Sequence, residues 1–385
     1  MKDYAVIGAG QMGRVIAKEL IDSGTGSEVS LFDISDTLLA EAAHSIASDR
    51  LSTQVLDITD TATASAALED HTVAIGALPH SMSYPAIQAA IGAHVSFVDL
   101  VGEAPEKRAA LHDQAADAGC LIVPGMGVAP GISNMCIGRG MELLDETHNG
   151  LIYVGGIPVK KEPPLYYQTV YLLESVFNAY LRTATIIENG ERVTVEPLSG
   201  LEEISFPEPI GTLEGFFTDG LASLPLTVGG DIKNNLFEKT LRYPGHLECM
   251  RALKECGLLD DRPVMIGGSE IVPRDVLIEL LGEKLRLSSE GDILVMRIEV
   301  EGLKEGKEQR HIFELVDYLD TETQYTAMAR TTGFPAVLAA RMIANDELPE
   351  RGVWFPEQLF TGDRFERMID ELAKMGVELK YLVEA

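Results

Sequence analysis

The opening of the chain constrains the rest most. Tyr4-Ala5-Val6-Ile7 is a short apolar run, and Gly8-Ala9-Gly10-Gln11-Met12-Gly13 follows at once. Helical spacing then covers residues 12–21, and residues 28–32 read as a second strand ending at Asp33. Strand, glycine-rich turn, helix, strand and acid in this order match a dinucleotide-binding fingerprint. Gly8 allows the tight turn out of the strand, Gly10 lets a pyrophosphate approach the backbone, and Gly13 lets the helix lie close to the strand. The helix start at Gln11 and Met12 offers unpaired N–H groups and the positive end of the helix dipole, which favour phosphate. Asp33 can accept hydrogen bonds from ribose hydroxyls and would repel a 2′-phosphate. No Arg follows it within Asp33-Ile34-Ser35-Asp36, so the cofactor expected is NAD rather than NADP. FAD is the alternative, since flavoproteins open in the same way, and a glycine turn without a cofactor is the bland one.

Strand and helix go on alternating to about residue 125, which predicts an α/β fold: a doubly wound parallel sheet with helices on both faces. Short strands are expected at 53–56, 73–77, 94–100 and 120–123, with helices at 36–48, 60–68, 80–91 and 105–118. Ligands of such sheets bind beyond the carboxyl ends of the strands, at the point where the strand order reverses. That rule puts Asp57 near the adenine, and Ala77-Leu78-Pro79-His80 and Asp99-Leu100-Val101-Gly102 near the nicotinamide. The Gly- and Pro-rich stretch 124–131 leads out of this domain into a helix at 132–144. From Leu151 the pattern changes to an α+β second domain on an antiparallel sheet. Its clearest sign is a hairpin of strands 293–300 and 312–319 around Gly302-Leu303-Lys304-Glu305-Gly306. After it, residues 327–344 form a helix broken by Gly333 and Pro335, and residues 364–375 another, of the kind that folds back on a first domain.

At 385 residues the chain is long enough for two domains, and a formal net charge of −29 argues against nucleic acid, whose phosphates need clustered Lys and Arg. None of the four cysteines forms a CxxC and no HExxH occurs, so no metal site is expected. No signal peptide and no apolar run of membrane-spanning length stands out, so a cytoplasmic protein with no membrane partner is expected.

A set of motifs in order, Gly8 to Gly13, Ile75-Gly76-Ala77-Leu78-Pro79, Val98-Asp99, 127–134, Tyr153-Val154-Gly155-Gly156-Ile157-Pro158, Pro163-Pro164-Leu165-Tyr166-Tyr167, 175–180, Thr218-Asp219-Gly220, 240–246 and 328–333, resembles the saccharopine dehydrogenase-like family, and within it most nearly the L-lysine 6-dehydrogenase branch. The resemblance spans nearly the whole chain. It implies NAD-dependent oxidative deamination of the lysine ε-amine to 2-aminoadipate 6-semialdehyde, with ammonia and NADH released. It also implies three parts: a Rossmann domain over 1–125, a substrate-binding and dimerisation domain over 126–325, and C-terminal helices over 326–385 packing back on the first. A homodimer or larger homo-oligomer follows. The sequence departs from the pattern at Asp99-Leu100-Val101-Gly102-Glu103, where bacterial lysine enzymes of the family place a second glycine and a histidine, and it carries His80 where none is expected.

Amine dehydrogenation needs the substrate aligned over the nicotinamide, a neutral amine, and a water activated against the imine. Arg242 is the choice for the substrate carboxylate, because its fork binds a carboxylate bidentately. His246, four residues on, would share a helical face with it and could take the amine proton. Asp99 is the other candidate base or ammonium ligand. His80, Tyr166, Tyr167 and Asp219 complete the expected substrate contacts, Glu103 is a weaker candidate, and Arg330 is expected to pin the last helix. Two alternatives stay open: a secondary amine such as saccharopine or carboxynorspermidine as substrate, and a non-catalytic NAD sensor.

Overall fold

Tyr4 to Ile7 lie in β1 (Asp3–Ile7), and the strand is buried along nearly its whole length. The computed structural model describes residues 3–23, 27–170 and 173–385 and divides the chain into two units. One is Met1–Asp145, Ala222–Gly230 and Ala329–Glu378; the other is Glu146–Leu221, Asp231–Met328 and Leu379–Ala385.

In the first unit β1 is followed by α1 (Gln11–Ser23), β2 (Glu28–Asp33), α2 (Asp36–Ile46), β3 (Leu51–Val55), α3 (Thr61–Leu68), β4 (Val73–Gly76), α4 (His80–Gly92), β5 (Ser96–Asp99), α5 (Pro105–Ala109), α6 (His112–Asp117), β6 (Leu121–Pro124) and α7 (Ile132–Leu143). The strands lie parallel in the order β3-β2-β1-β4-β5-β6, with Gly352–Val353 added beside β6. The order reverses between β1 and β4, so ligand sites are expected at the carboxyl ends of these strands. β4 and β6 are buried throughout, as strands covered on both faces must be. Ser35 and Asp60 cap α2 and α3 by accepting from the Leu38 and Thr63 N–H groups, both at 3.3 Å.

Two helix expectations are corrected. The single helix over 105–118 is α5 and α6, separated by a turn in which the Leu111 N–H bonds the Arg108 carbonyl at 3.0 Å. Both Arg108 and Leu111 turn into the interior there. The helix expected to break at Gly333 and Pro335 runs unbroken from Ala327 to Ala344. A Cβ on Gly333 would stand 3.2 Å from Ile16 Cγ1, so this glycine serves close packing on α1 rather than a break. Arg330, as expected, fastens this helix: its Nη2 donates to the Gly376 carbonyl at 2.8 Å, just past the helix Gly362–Lys374.

In the second unit β7 (Glu146–Pro158) is central. α8 (Leu173–Ala179), β8 (Ala184–Glu188), β9 (Glu191–Val195), β10 (Glu202–Ser205), β11 (Thr212–Phe217) and β12 (Ile232–Arg242) follow. The sheet runs β10-β11-β12-β7, then Asp292–Lys304, Lys307–Tyr318 and Leu379–Glu384, with β8 pairing both β12 and β9, which makes nine strands among the described residues. It is antiparallel except for one pair: β7 and β12 run parallel, which requires the long crossover between them. β7 is longer than the sequence suggests because Gly155 and Gly156 stay in the strand; a Cβ on Gly155 would lie 2.2 Å from the Leu241 carbonyl oxygen. The expected hairpin is present and tighter, with Lys304 opposite Lys307 and only Glu305-Gly306 between them, both at positive φ. Among the described residues no helix is long and apolar enough to cross a membrane.

Candidate active site

In the first unit, packing demands two of the three loop glycines. A Cβ on Gly8, whose φ is +107°, would stand 2.2 Å from the Ala77 carbonyl oxygen, and one on Gly13 would stand 1.7 Å from the Gly8 carbonyl oxygen. A Cβ on Gly10 would meet nothing within 4 Å. Open ground therefore lies over Gly10 at the start of α1, where N–H groups and dipole favour a pyrophosphate. Ala77 donates its N–H to the Ile7 carbonyl at 2.8 Å, which sets the Ala77-Leu78-Pro79 loop beside the glycine loop. Asp33 closes this end: Oδ2 accepts from the Ala9 N–H at 2.7 Å and Oδ1 from the Ser35 N–H at 2.8 Å. Gln11 is exposed and Met12 buried. Asp57, by contrast, folds its carboxylate onto its own turn, where the Thr59 hydroxyl and N–H donate at 2.6 and 2.9 Å and hold its pKa below the ordinary value. These residues fit an NAD(P) dinucleotide, with Gly10 and the start of α1 for the pyrophosphate and Asp33 for the adenosine ribose.

Asp99 at the end of β5 is fully buried. Ser83 donates to one of its oxygens and the Val101 N–H to the other at 3.1 Å, and Arg108 stands 3.7 Å away while donating to Ser83 at 2.6 Å. Burial pushes its carboxyl up to about 6 against the opposing pull of Arg108 and these hydrogen bonds. This carboxyl shapes the loop that leaves β5; its partners lie within its own unit, which favours anchoring over proton transfer. The two departures noted in the sequence meet each other: His80 Nδ1 lies 2.7 Å from Glu103 Oε1.

In the second unit a separate cluster assembles at the end of β12. Arg242 is that strand's last residue, and His246 opens the helix His246–Glu255 after Gly245, whose φ is +93°. The expectation that both share a helical face is therefore corrected. They meet through Tyr180 instead: Arg242 Nε donates to the Tyr180 hydroxyl at 2.9 Å, and that hydroxyl lies 3.0 Å from His246 Nε2. His246 Nδ1 lies 2.8 Å from the Leu165 carbonyl oxygen. Burial, and next the Arg242 charge, push this imidazole down to about 3, so it is neutral at ordinary pH and braces Tyr180. Arg242 Nη1 donates to the Leu241 carbonyl at 2.8 Å, and the guanidinium lies 5.0 Å from the centre of the Tyr167 ring. The side chain is buried, yet among the described residues no carboxylate stands within ion-pair distance of it.

Tyr167 is buried beside this cluster, whereas Tyr166, at a φ of +52°, is half-buried against Gly245. Asp219 lies 3.9 Å from Arg182, partly exposed. Tyr180 and Glu238 were not singled out by the sequence reading. Glu238 sits on the face of β12 that also carries Thr240 and Arg242, an alternation visible in the sequence once the strand is known. Thr218 donates to it at 2.7 Å and Thr240 at 3.3 Å, and burial raises its carboxyl to about 8. A Cβ on Gly220 would come within 2.4 Å of it, so the motif Thr218-Asp219-Gly220 is shaped around this acid.

Two family models match: the saccharopine dehydrogenase NADP binding domain over residues 4–123 and the saccharopine dehydrogenase C-terminal domain over residues 127–377. The chain is 24% identical to the saccharopine dehydrogenase [NADP(+), L-glutamate-forming] of Schizosaccharomyces pombe, over 84% of this chain and 87% of that one. It is also 24% identical to the carboxyaminopropylagmatine dehydrogenase of Synechocystis, over 93% of each. The fold is that of the apo histidine-tagged saccharopine dehydrogenase (L-Glu forming) from Saccharomyces cerevisiae, with a TM-score of 0.81 at 20% identity over the full length of both.

Proposed function

The chain belongs to the saccharopine dehydrogenase family and is an oxidoreductase with an NAD(P)-binding domain, and from that premise we propose that it oxidatively deaminates the ε-amine of L-lysine with NAD. The products are 2-aminoadipate 6-semialdehyde, ammonia and NADH. The observation that carries the reading is Arg242, a buried guanidinium held by one phenol and one carbonyl, with no carboxylate within ion-pair distance among the described residues. A buried charge without a partner is unfavourable by several kcal/mol, roughly, and an incoming carboxylate restores the balance. Arg242 has fork geometry to hold one.

Lysine brings one carboxylate, and the other arginines near this cluster are engaged. Arg182 lies beside Asp219, Arg251 donates to the Leu198 carbonyl at 3.1 Å, and Arg274 donates to Asn178 at 3.0 Å. Glu238, on the same strand face as Arg242, is kept protonated by burial, and an incoming cationic amine would favour its ionisation. When bound, the nicotinamide accepts the hydride from the carbon that bears the amine. The chain's own part is to fix the dinucleotide through Gly10, the start of α1 and Asp33, and to orient the amino acid by its carboxylate. Alignment of this kind is worth roughly 7–11 kcal/mol of barrier. Asp33 supports NAD, since a carboxylate at the end of β2 favours ribose hydroxyls and repels a 2′-phosphate.

A second reading has a secondary amine as substrate, and the names of the two relatives favour it. The test is NADH absorbance on incubation with NAD and a panel of lysine, saccharopine and polyamine conjugates. Turnover of lysine is expected. Turnover of saccharopine or a polyamine conjugate alone would replace the substrate, and silence toward every amine would favour a non-catalytic NAD-binding protein.

A further inference from the structure

We propose that His80 and Glu103 are the proton-transfer pair of the oxidation, His80 taking the proton of the bound ammonium and Glu103 setting a negative charge beside the ring that takes it. The inference rests on the dehydrogenase reading above and adds its base.

Topology brings the two residues together. β4 and β5 are adjacent and parallel, with Gly76 opposite Asp99, so the loops that follow them leave the same end of the sheet side by side. His80 opens α4 after the first of these loops, and Glu103 stands in the second. The glycine loop and Asp33 belong to β1 and β2, on the adenosine side of the reversal in strand order. The loops after β4 and β5 lie on the other side, which leaves them the nicotinamide half of a dinucleotide.

The second loop is held from beneath. Asp99 accepts the Val101 N–H, its carbonyl accepts the Met126 N–H at 2.8 Å, and a Cβ on Gly102 would lie 2.6 Å from Pro130 Cγ. Asp99 and Arg108 are the charged groups behind the pair, and their hydrogen bonds run to Ser83 and to each other's neighbourhood rather than to His80. Glu103 is thereby presented to His80 Nδ1 at 2.7 Å, with the two side chains 35% and 26% exposed for His80 and Glu103 respectively. The pair is thus within reach of a substrate, as Asp99, wholly buried, is not. Nδ1 and Oε1 meet as an ion-pair contact without hydrogen-bond alignment, so Glu103 acts on the ring through its charge, and Nε2 is the nitrogen left for a substrate proton. A carboxylate placed beside a working imidazole is a recurrent arrangement.

The chemistry balances. His80 Nε2 takes one proton from R–CH2–NH3+, and the freed lone pair expels hydride from carbon to the nicotinamide, leaving R–CH=NH2+. His80 returns its proton to solvent and then takes one from the water that adds to the iminium carbon. His80 hands that proton to the amino group of the adduct, which collapses to aldehyde and NH4+. In sum, R–CH2–NH3+, NAD+ and water give R–CHO, NH4+, NADH and H+.

The test takes whichever amine the full-length enzyme oxidises and compares the wild type with His80→Gln, His80→Ala and Glu103→Gln. His80→Gln should lower kcat roughly a hundredfold or more and abolish the acid limb of the kcat/KM pH profile, with NAD+ affinity unchanged. Added imidazole should restore part of the His80→Ala rate, which a merely structural loss would not allow. Glu103→Gln should lower kcat by less and displace the acid limb. Wild-type kcat with the acid limb intact in His80→Gln overturns this inference alone, and a wild-type enzyme that oxidises no amine overturns the dehydrogenase reading with it.

Discussion

At the scale of the residue, His246 is enclosed by the Tyr180 hydroxyl on one side and the Leu165 carbonyl on the other. His246 has the right identity for a proton acceptor, but burial beside Arg242 leaves it neutral, with both ring nitrogens engaged. Asp99 has the right position, yet its carboxylate holds the β5 loop. Neither outcome is legible in a sequence, because identity and position say nothing of what is packed behind a side chain. The place of Asp33 at the end of β2 was legible, because it depends only on the strand–turn–helix around it. Its two backbone hydrogen bonds set a negative charge beside the glycine loop. Asp33→Ala should therefore weaken NAD+ by about 1.5–3 kcal/mol, roughly tenfold to a hundredfold, as expected for loss of a hydrogen bond to a charged group. NADP+ should be weakened far less. Dissociation constants for both dinucleotides check this, and an unchanged ratio would reject the ribose role.

At the scale of the element, alternation along β12 is the organising fact. Glu238, Thr240 and Arg242 share one face, whereas Phe237 and Leu241 on the other join a separate apolar cluster. The sequence reading found Arg242 through its neighbours in the motif 240–246 and missed Glu238, because the strand begins earlier than that motif. A shared face for Arg242 and His246 required a helix already begun at Arg242; the link between them is Tyr180, a contact across 62 positions that no local period reveals. Hairpins and capped helices were read more closely because their causes are local. Glu238 gives this strand a pH signature. Its folded-state value of about 8 lies above the ordinary 4.5, so the protonated form is favoured in the fold. The stability it contributes is fully present below about 4.5 and is lost as pH rises through about 8. Glu238→Gln should match the wild type in melting temperature near pH 4.5 and exceed it at pH 9. Equal melting temperatures at pH 9 would show that this carboxyl ionises without penalty.

At the scale of the whole molecule, the chain does not divide at one point. The first unit takes in α7, residues 222–230 and residues 329–378, while the last strand belongs to the second unit. The Gly- and Pro-rich stretch at 124–131 leads into α7, whose buried residues belong to the first unit. Glu357 is one reason why residues 222–230 join it: its carboxyl accepts from Asn134 at 3.3 Å and from Thr227 at 2.6 Å, ties that are remote in sequence. The alternating strands and helices of the first unit were legible because they repeat, and the mixed sheet of the second was only partly so, because its parallel pair depends on a crossover. The role proposed for Arg242, in the second unit, is to hold the carboxylate of an amino acid. The most direct measurement compares kcat/KM for lysine and for 1,5-diaminopentane, which is lysine without its carboxylate, in the wild type and in Arg242→Lys. Wild-type enzyme should prefer lysine. In the variant the KM for lysine should rise about tenfold or more, as two aligned hydrogen bonds to a carboxylate are lost, while the diamine is affected little. A variant that keeps the wild-type preference for lysine would contradict the account.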